Sequence, residues 1–335
     1  MRRPLLLAFA AALTCMPGVA CAEPINLRLS FFTSDRSQIY QTSVKSFVDA
    51  VNTAGEGLVH IEVFFSGAIT DVQSQLPEVV SNGTADLAYI VPVRTPGRFH
   101  DTSVMELPTL FRNPREASRV YLELARDGTL AGYDDFYVVG AIVSDPESVH
   151  SRKPTASIAD LKGQRIRANN QTEVDMLQRF GAVPVLLASN KATEAVSSET
   201  IDGVTFPPFM LFEFGVGRVV THHFMIGLGG VPTALVMNRK KFESLPPQAQ
   251  SIVREFAGER LTDYTTRRLE ELDRDTLSAL EADPRRTVSF PDPADAKAIH
   301  EVYDQELAQF AGSSSHNRAL LARVEGQLAK MRASE

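Results

Sequence analysis

Strands and helices alternate along the first part of the chain, and this order leaves few folds open. Apolar residues alternate with polar ones at 27–31 and at 59–65, as they do in strands that bury one face. The segment 85–91 is apolar enough for a buried third strand, and stretches of helical periodicity separate the three. Such an order joins neighbouring strands in parallel and covers the sheet with helices. We therefore expect an α/β fold whose ligand site lies beyond the carboxyl ends of the strands.

A second α/β unit follows the first. The stretch LKGQRIRAN at 161–169 predicts a strand, and the helix after it runs from about Thr172 to Phe180. A chain of 335 residues is long enough for two lobes with separate cores. No low-complexity linker divides the two, so we expect several chain crossings between them. The predicted lobe I consists of residues 23–143 and 232–272, and the predicted lobe II consists of residues 144–231 and 273–335.

The C-terminal third is helical. Apolar residues keep one face from Ala249 to Leu280, and Gly258 is the single break before Pro284. About 35 helical residues would extend roughly 50 Å, which is longer than one small lobe. We predict a long helix that spans both lobes or kinks between them.

Residues 1–22 have the pattern of a secretory signal peptide. A basic start precedes the apolar run LLLAFAAALT, and Ala20–Ala22 form a small-residue cleavage site. The run is too short for a helix that crosses a bilayer, which needs about 20 apolar residues. We expect the exported chain to begin at Glu23. Lipidation at Cys21 is the alternative.

Cysteine content and charge indicate where the chain works and what it does not bind. Both cysteines, Cys15 and Cys21, fall within the predicted signal peptide. The exported part therefore has neither a disulfide framework nor a thiolate metal site, which suits a Gram-negative periplasm. The formal net charge of −7 and the absence of a basic stripe argue against nucleic-acid binding. After the signal there is no second apolar run of bilayer length.

Catalytic signatures are missing from the sequence. The adjacent pair His222 and His223 would point to opposite faces of a strand and could not easily share a metal. No dinucleotide fingerprint, phosphate-binding loop or G-x-S-x-G motif is present. We therefore predict a binding protein with no catalytic residues, no metal and no cofactor. Two alternatives stay open: an exported enzyme that acts on a small carboxylate, and a receptor that reports to a signalling partner.

Four segments carry a resemblance to a known family. They are SIADLKGQRIRANNQTEVDMLQRFGAVPV (157–185), ETIDGVTFPPF (199–209), NGTADLAYIVPVRTPGRFHDTSVMELPTLF (82–111) and MNRKKFESLPPQAQSIV (237–253). Their content and order resemble the substrate-binding proteins of tripartite ATP-independent periplasmic (TRAP) transporters. The resemblance implies a two-lobed fold that closes on an organic acid and delivers it to membrane permease subunits. We expect the receptor to act as a monomer.

The resemblance also singles out Arg167. In the family the last arginine of the K-I-R segment binds the ligand carboxylate, and Arg167 takes that position. Its planar guanidinium can bind a carboxylate with two parallel hydrogen bonds. It also precedes a helix N-terminus, which favours negative charge. Asn170 is expected to cap that helix together with Glu173 and to face the ligand. The alternative for Arg167 is a surface salt bridge.

The chain departs from the family pattern after Asp202. Many members carry Glu-Asn-Pro there, and the asparagine contacts the ligand, whereas here Phe206 takes its place. An aromatic face instead of an amide predicts a ligand with an apolar or aromatic body. The departure also puts in doubt the metal-assisted binding of some members. The alternative is that Phe206 is a core residue. Strand ends of the first lobe add further candidate ligand contacts, Phe31, Phe32, Tyr89 and Arg94. His150, in the approach to the second lobe, could also donate to the ligand.

Overall fold

The computed structural model describes residues 23–333, so the predicted signal peptide lies outside the described part of the chain. Eleven strands lie in this part. They are β1 (Ile25–Ser30), β2 (Val59–Phe64), β3 (Leu87–Ile90), β4 (Phe136–Val143), β5 (Ser148–Ser151), β6 (Arg165–Ala168), β7 (Val183–Leu186), β8 (Gly203–Phe206), β9 (His222–Phe224), β10 (Pro232–Asn238) and β11 (Thr287–Ser289). They form two separate sheets, and we use lobe I and lobe II for these two sheets with the helices that pack on them.

Eleven α-helices lie among the described residues. They are α1 (Lys45–Ala54), α2 (Leu76–Ser81), α3 (Pro114–Arg126), α4 (Gln171–Arg179), α5 (Ala192–Ser197), α6 (Met210–Glu213), α7 (Arg239–Ser244), α8 (Pro247–Phe256), α9 (Glu259–Ala282), α10 (Pro293–Ser313) and α11 (Ser315–Ala333). A π-helical turn, Tyr40–Val44, precedes α1. Short 3₁₀ segments that matter below are Gln73–Gln75, Pro92–Arg94, His100–Glu106 and Ser189–Lys191. In residues 23–333, no helix combines the length and the apolar character that a membrane crossing requires.

The sheet of lobe I has the order β2-β1-β3-β10-β4. β1 pairs in parallel with β2 and with β3, as the strand–helix alternation predicts. β10 lies antiparallel to both β3 and β4, so the sheet is mixed rather than purely parallel. The reason is topological: β10 returns from the other lobe through a loop. This connection contains no crossover helix, and it is such a helix that places two consecutive strands of a sheet parallel to each other.

The sheet of lobe II has the order β11-β9-β5-β8-β6-β7. β6 pairs in parallel with β7 and β8, whose carboxyl ends therefore lie at one edge. β5 runs antiparallel to β8 and β9. Each sheet has an apolar core on both of its faces. Two sheets covered by helices give the α/β class that the sequence predicts.

Two crossing segments run side by side between the sheets. Residues 144–147 lead from β4 to β5, and residues 228–231 lead back to β10. Backbone hydrogen bonds join them, from Glu147 N to Gly229 O at 2.8 Å and from Leu228 N to Glu147 O at 2.6 Å. Gly229 has φ +99°, and a Cβ there would lie 2.2 Å from the carbonyl oxygen of Glu106. Only glycine fits this position, because the backbones approach too closely for any side chain.

The predicted long helix exists and breaks once, at Gly258. This residue has φ 73° and ψ −139°, so it ends the path of α8 and starts α9. Its N–H donates to the carbonyl of Val139 at 2.7 Å, which ties the break to β4. α9 has 24 residues, about 36 Å at the usual helical rise. Thr262 near its start bonds to β4 of lobe I, and Leu280 near its end lies in a core of lobe II.

The last helix returns to lobe I. Leu320, Val324 and Leu328 of α11 belong to the core between α3 and the first sheet. α10 instead packs on α4 of lobe II, so the chain crosses once more between these two helices. The predicted lobe boundaries stay a proposal. The contacts of α11 favour placing 315–333 with lobe I.

Candidate functional site

A cavity lies where the carboxyl ends of β1 and β3 face those of β6 and β8. It measures about 60 Å³, room for a few water molecules. The strand ends of lobe I contribute Phe32, Tyr89 and Arg94, and the loop after β6 contributes Asn169. Both crossing segments reach the wall, because Glu147 and Val231 line it as well. The position between two lobes and beyond parallel strand ends is typical of ligand sites in α/β proteins.

The wall of lobe I is aromatic. Tyr89 hydrogen-bonds through its hydroxyl to Thr233 Oγ1 at 2.7 Å, so its polar end is satisfied by the protein. Phe32 stacks on Phe31 with ring centroids 5.3 Å apart, and Phe31 itself is buried in the core behind. Phe209 and Phe214, which follow β8 of lobe II in the chain, line the cavity as well. Rings from both lobes therefore surround the cavity.

Arg94 reaches across the cavity from lobe I to lobe II. Its Nη1 donates to the carbonyl of Asn169 at 3.2 Å and its Nη2 donates to Asn169 Oδ1 at 2.5 Å. Its Nε donates to Gln73 Oε1 at 3.3 Å on its own lobe. Burial, with a smaller effect of the nearby Arg167, lowers the pKa of Arg94 to about 10. The side chain therefore stays cationic at neutral pH.

Arg167 is completely buried and uses its guanidinium inside lobe II. Its Nε donates to the carbonyl of Leu187 at 2.9 Å, and its Nη1 donates to the carbonyl of Thr205 at 2.7 Å. Its Nη2 donates to Asn169 Oδ1 at 2.7 Å and to Ser189 Oγ at 3.0 Å. The ring of Phe206 lies under the guanidinium, 4.7 Å from Cζ. Burial lowers the pKa of Arg167, while nearby carboxyl groups oppose this shift.

Two guanidinium groups thus converge on one amide oxygen. Both Nη2 atoms donate to Asn169 Oδ1, and a guanidinium has no acceptor, so this amide atom must be the oxygen. The other amide atom, Asn169 Nδ2, is buried and has no hydrogen-bond partner within residues 23–333. A buried amide donor without an acceptor is costly. A hydrogen-bond acceptor in the cavity could therefore bind at this point of the wall. The positive charges of Arg94 and Arg167 favour an acceptor that is an anion.

Three buried glutamates surround the arginines. Glu147 Oε2 lies 3.8 Å from Arg167 Nη1 and has no hydrogen-bond partner in the described part of the chain. Burial, together with Glu173, raises the pKa of Glu147 well above its ordinary value. Burial likewise raises the pKa of Glu106. Both shifts favour the protonated acids, which leaves the positive charge of Arg94 and Arg167 less compensated.

Asn170 and Glu173 organise the helix start next to the arginines. Asn170 Oδ1 accepts from the N–H of Glu173 at 2.8 Å and caps α4, as the sequence predicts. Glu173 Oε2 in turn accepts from the N–H of Asn169 at 2.9 Å and from the hydroxyl of Thr205. Asn170 is buried and lies behind the wall, whereas its neighbour Asn169 faces the cavity.

His150 lies behind the site. It is fully buried, its Nε2 lies 3.0 Å from the carbonyl oxygen of Phe206, and its Nδ1 lies 2.8 Å from Nδ1 of His223. Phe206 is equally buried and stacks on Phe214 at 5.8 Å. Neither His150 nor Phe206 is part of the cavity wall.

A second contact between the lobes lies at the mouth of the cavity. Glu213 at the end of α6 accepts from the hydroxyl of Ser37 at 2.6 Å and from the N–H of Gln38 at 2.8 Å. With the Arg94–Asn169 bridge, it holds the lobes together on two sides. The structure therefore shows a closed arrangement of the two lobes.

Of the eight ligand contacts predicted from the sequence, three are in the wall: Phe32, Tyr89 and Arg94. The other five lie behind it: Arg167, Phe206, Phe31, His150 and Asn170. Contact with a ligand stays a prediction for all of them. Asn169, Ser189 and Glu147 also line the wall and are not among the predicted contacts. Asn169 immediately precedes the predicted contact Asn170, so the same loop after β6 carries the sequence signal for it.

Comparison with known proteins identifies the family. The model of bacterial extracellular solute-binding protein family 7 (DctP) matches residues 29–313. This match confirms the resemblance that rests on the four sequence segments. A curated relative, the 2,3-diketo-L-gulonate-binding periplasmic protein YiaO of Escherichia coli K12, is 24% identical over 67% of this chain and 69% of its own length.

Solved structures share the fold closely. A TRAP solute binding protein from Rhodoferax ferrireducens T118, in complex with copurified benzoate, matches with a TM-score of 0.85 and 23% identity over 93% of this chain and all of that one. A marine metagenome TRAP solute binding protein specific for aromatic acid ligands, in complex with metahydroxyphenylacetate, matches with a TM-score of 0.85 and 21% identity over 91% of this chain and 99% of that one. These superpositions confirm the predicted two-lobed α/β fold.

Proposed function

Since this chain belongs to family 7 of the bacterial extracellular solute-binding proteins, we propose that it is the periplasmic receptor of a TRAP transporter. Its ligand is an organic monocarboxylate with an apolar or aromatic body. The receptor holds this acid between its lobes and delivers it to the membrane permease subunits. The observation that carries the proposal is the convergence of Arg94 and Arg167 on Asn169 beside an aromatic wall.

The carboxylate of the ligand takes the place between the two Nη2 atoms that the Asn169 oxygen fills in this structure. It can then accept from Arg94 and Arg167, and the unpartnered Asn169 Nδ2 becomes a third donor. Charge-assisted bonds of this kind are about twice as strong as neutral ones. Arg167 does not need to move far, because two of its bonds to backbone carbonyls can persist while Nη2 changes partner.

The apolar body of the ligand lies against the rings of Phe32, Tyr89, Phe209 and Phe214. Aromatic pairs in offset or edge-to-face contact gain about 0.5–1.5 kcal/mol beyond area burial. Phe206 acts from behind in this proposal, where its ring supports the guanidinium of Arg167. The Rhodoferax and marine proteins bind benzoate and metahydroxyphenylacetate, which are acids of this kind. The Escherichia coli relative is named for a sugar acid, so the family alone does not decide the ligand.

Uptake of such an acid requires the lobes to part, because the Arg94–Asn169 bridge and the Glu213–Ser37 contact close the cavity between them. Opening breaks the Arg94–Asn169 bridge and the contact of Glu213 with Ser37. The bound acid would rebuild the first of these through its own carboxylate. Binding therefore favours the closed state by the difference in affinity between the two states.

The receptor reaches the periplasm through cleavage of the segment 1–22, in this proposal, and it returns its ligand unchanged. The buried carboxyl groups of the site are not arranged around a nucleophile, because Glu147 and Glu173 contact arginine, threonine and backbone groups. Incubation with the bound acid followed by mass spectrometry separates a receptor from an exported enzyme. Co-purification with permease subunits separates transport from signalling.

A thermal-shift and calorimetry screen tests the ligand class. The panel contains benzoate, 3-hydroxybenzoate and mandelate, the sugar acid galacturonate, the dicarboxylate succinate and neutral benzamide. We expect aromatic monocarboxylates to raise the melting temperature through preferential binding to the folded state. Benzamide should give no shift because it lacks the charge.

Variants then separate the two halves of the proposal. Arg94→Met should abolish the shift from benzoate, whereas the surface control Arg285→Met should retain it. A response to galacturonate or succinate alone would reject the aromatic ligand but keep the receptor. No response to any carboxylate, or an unchanged response in Arg94→Met, would reject the proposed carboxylate site.

A further inference from the structure

Two histidines and an aspartate meet on the outer surface of lobe I, away from the cavity. His100 and Asp101 open the 3₁₀ segment His100–Glu106, and His316 lies in the first turn of α11. His316 Nε2 lies 2.6 Å from Asp101 Oδ1, and His100 Nε2 lies 3.3 Å from the same oxygen. One ligand atom of each residue lies within 4.8 Å of the others. The cluster joins residues far apart in the sequence.

The carboxylate of this cluster is held in place from behind. Asp101 is 3% exposed, and its Oδ2 accepts from the N–H of Ala131 at 3.0 Å. That bond fixes the plane of the carboxylate and directs Oδ1 toward the two imidazoles. Hydrogen bonds to the second oxygen of a ligating carboxylate are a regular feature of metal sites, because they orient the ligand.

The two imidazoles are accessible from solvent. The side chains of His100 and His316 are 60% and 59% exposed. Their ring centroids lie 6.2 Å apart, and one nitrogen of each ring lies within 4.8 Å of the other and of Asp101. An ion could approach from solvent, and water could complete its coordination.

We propose that His100, Asp101 and His316 form a binding site for a divalent late transition metal, with Zn²⁺ as the first candidate. Zinc takes imidazole nitrogen and carboxylate oxygen at about 2.0–2.2 Å, which places neighbouring ligands of a tetrahedron about 3.3 Å apart. The His100 to Asp101 separation of 3.3 Å has this value, whereas the His316 to Asp101 separation of 2.6 Å has to widen by about 0.7 Å, which a rotation of the exposed His316 side chain can supply. Imidazole ligands select against Mg²⁺ and Ca²⁺, and the lack of sulfur selects against Cu⁺.

The site would fasten α11 to the body of lobe I. His316 belongs to the helix that closes the chain, whereas His100 and Asp101 belong to a segment packed under the first sheet. A metal that bridges them binds only the folded state and therefore stabilises it by linkage. A plain ion pair between Asp101 and His316 is the rival account, and it requires no metal.

The test uses untagged protein treated with a chelator and then titrated with Co²⁺ and with Zn²⁺. We expect one equivalent of Co²⁺ to give visible absorption of a low-symmetry nitrogen–oxygen site, which Zn²⁺ then displaces. Zn²⁺ should also raise the melting temperature. His316→Ala and His100→Ala should each weaken metal binding by more than about tenfold. In known metal sites, loss of a group that only hydrogen-bonds to a ligand already lowers metal affinity by about 10–100-fold.

His300→Ala is the matched control, because His300 is an exposed helix histidine outside the cluster. It should bind Co²⁺ and respond to Zn²⁺ like the parent protein. Equal binding in His316→Ala and the parent would overturn the site, and so would a parent protein that takes up neither metal. Both alanine variants lie on the surface and should fold, which their circular dichroism spectra check. The shift of the melting temperature by benzoate is measured in parallel on the same variants. Loss of metal binding with an unchanged benzoate shift concerns the metal site alone and leaves the proposed receptor function untouched.

Discussion

The Nδ1 atoms of His150 and His223 lie 2.8 Å apart in the interior of lobe II, so one ring must donate to the other. Arg286 decides which one, because its Nη1 lies 3.3 Å from His223 Nε2 and a guanidinium can only donate. His223 therefore carries its proton on Nδ1 and donates to His150. His150 then carries its proton on Nε2 and donates to the carbonyl of Phe206. Both rings are neutral in this chain of bonds.

The paired imidazoles should make the fold sensitive to acid. Burial lowers the pKa of His150 to about 4, and burial together with the neighbouring His150 and Arg286 lowers that of His223 to about 2. The unfolded chain takes up protons near the ordinary histidine pKa, so this stability is present above about pH 6.5 and is lost as the pH falls toward 4. We expect a slope of about 1.4 kcal/mol per pH unit for each ring.

Urea unfolding between about pH 7 and pH 4.5 measures this slope. The double variant His150→Gln with His223→Gln should show a flatter profile. His222→Gln, at the partly exposed neighbouring position, serves as the control and should retain the profile of the parent. Parallel profiles of the double variant and the parent would mean that other groups carry the acid sensitivity.

Replacing Arg94 should reduce mainly the ligand affinity, whereas replacing Arg167 should also reduce the stability of the fold. Arg94→Met should weaken carboxylate binding by at least about 2 kcal/mol, about thirtyfold, and leave the fold nearly intact. Arg167→Met should in addition lower the free energy of unfolding by about 3–5 kcal/mol, since it strands buried acceptors in lobe II. Calorimetry with benzoate and urea unfolding measure the two quantities. Equal loss of stability in both variants would contradict the division of roles.

Glu147 should make ligand affinity depend on pH. Burial first, and then Glu173, raise the pKa of Glu147, so its proton is held at low pH and lost as the pH rises. Once ionised, the group repels a bound carboxylate. We expect affinity to fall as the pH rises over the range in which the protein stays folded, with uptake of a proton on binding at the upper end.

Calorimetry in two buffers of different ionisation enthalpy measures that proton uptake. Glu147→Gln keeps the shape and removes the charge, so its affinity should stay flat across the same range. A variant that follows the parent through the whole range would assign the effect to another group, with Glu106 as the next candidate.

The buried pair of Asp145 and Asp273 should destabilise the region around the crossing segment 144–147 as the pH rises. Asp145 lies in the crossing segment 144–147, and Asp273 of α9 accepts from the N–H of Phe209 at 2.8 Å. Burial raises the pKa of Asp145 to about 6, and burial with Asp145 raises that of Asp273 to about 8. At neutral pH Asp273 therefore keeps its proton while Asp145 is largely ionised, and we expect this proton to lie between the two carboxyl groups. This stability is fully present below about pH 3.9 and is lost as the pH rises through about 8.

Asp145→Asn tests the shared proton, because its amide N–H can bond to Asp273 without one. We expect the variant to lose less stability than the parent between about pH 6 and pH 9 in urea unfolding. Asp275→Asn, on the exposed side of the same helix, is the control. An equal loss in Asp145→Asn and the parent would show that the pair does not share a proton.

Glu213 should contribute to closure without touching the ligand. Glu213→Ala removes the acceptor for Ser37 and Gln38 at the mouth of the cavity. We expect a larger radius of gyration by small-angle X-ray scattering and faster ligand dissociation. Glu243→Ala, on an exposed helix of lobe I, should change neither. An unchanged dissociation rate in Glu213→Ala would leave the Arg94–Asn169 bridge as the main contact between the lobes.

Local patterns in the sequence predicted much of the fold. The alternation at 27–31 and 59–65 predicted β1 and β2, and Gly258 marked the break in the long helix. Two features were beyond such reasoning. The antiparallel entry of β10 and the return of α11 to lobe I depend on the path of the chain in space. Neither leaves a periodic signal in the residues concerned.

The candidate site was harder to derive than the fold. Strand ends bring Phe32 and Tyr89 to the cavity because ends of parallel strands share an edge. Side chains alternate between faces, however, so Phe31 turns into the core while Phe32 lines the wall. Asn169 and Asn170 differ in the same way. Glu147 lies in a crossing segment, and only the three-dimensional path places it beside Arg167.

The repeated chain crossings restrict how the lobes can move. The two crossing segments 144–147 and 228–231, the helix α9 and the turn between α10 and α11 all connect one lobe to the other. A single tether would allow twisting and sliding in any direction. Several connections at different points leave one motion of low energy. This motion is a rotation about the line that runs through the paired segments at 144–147 and 228–231. We therefore expect the lobes to open by rotation about this one axis, so that every opening exposes the same two faces of the cleft.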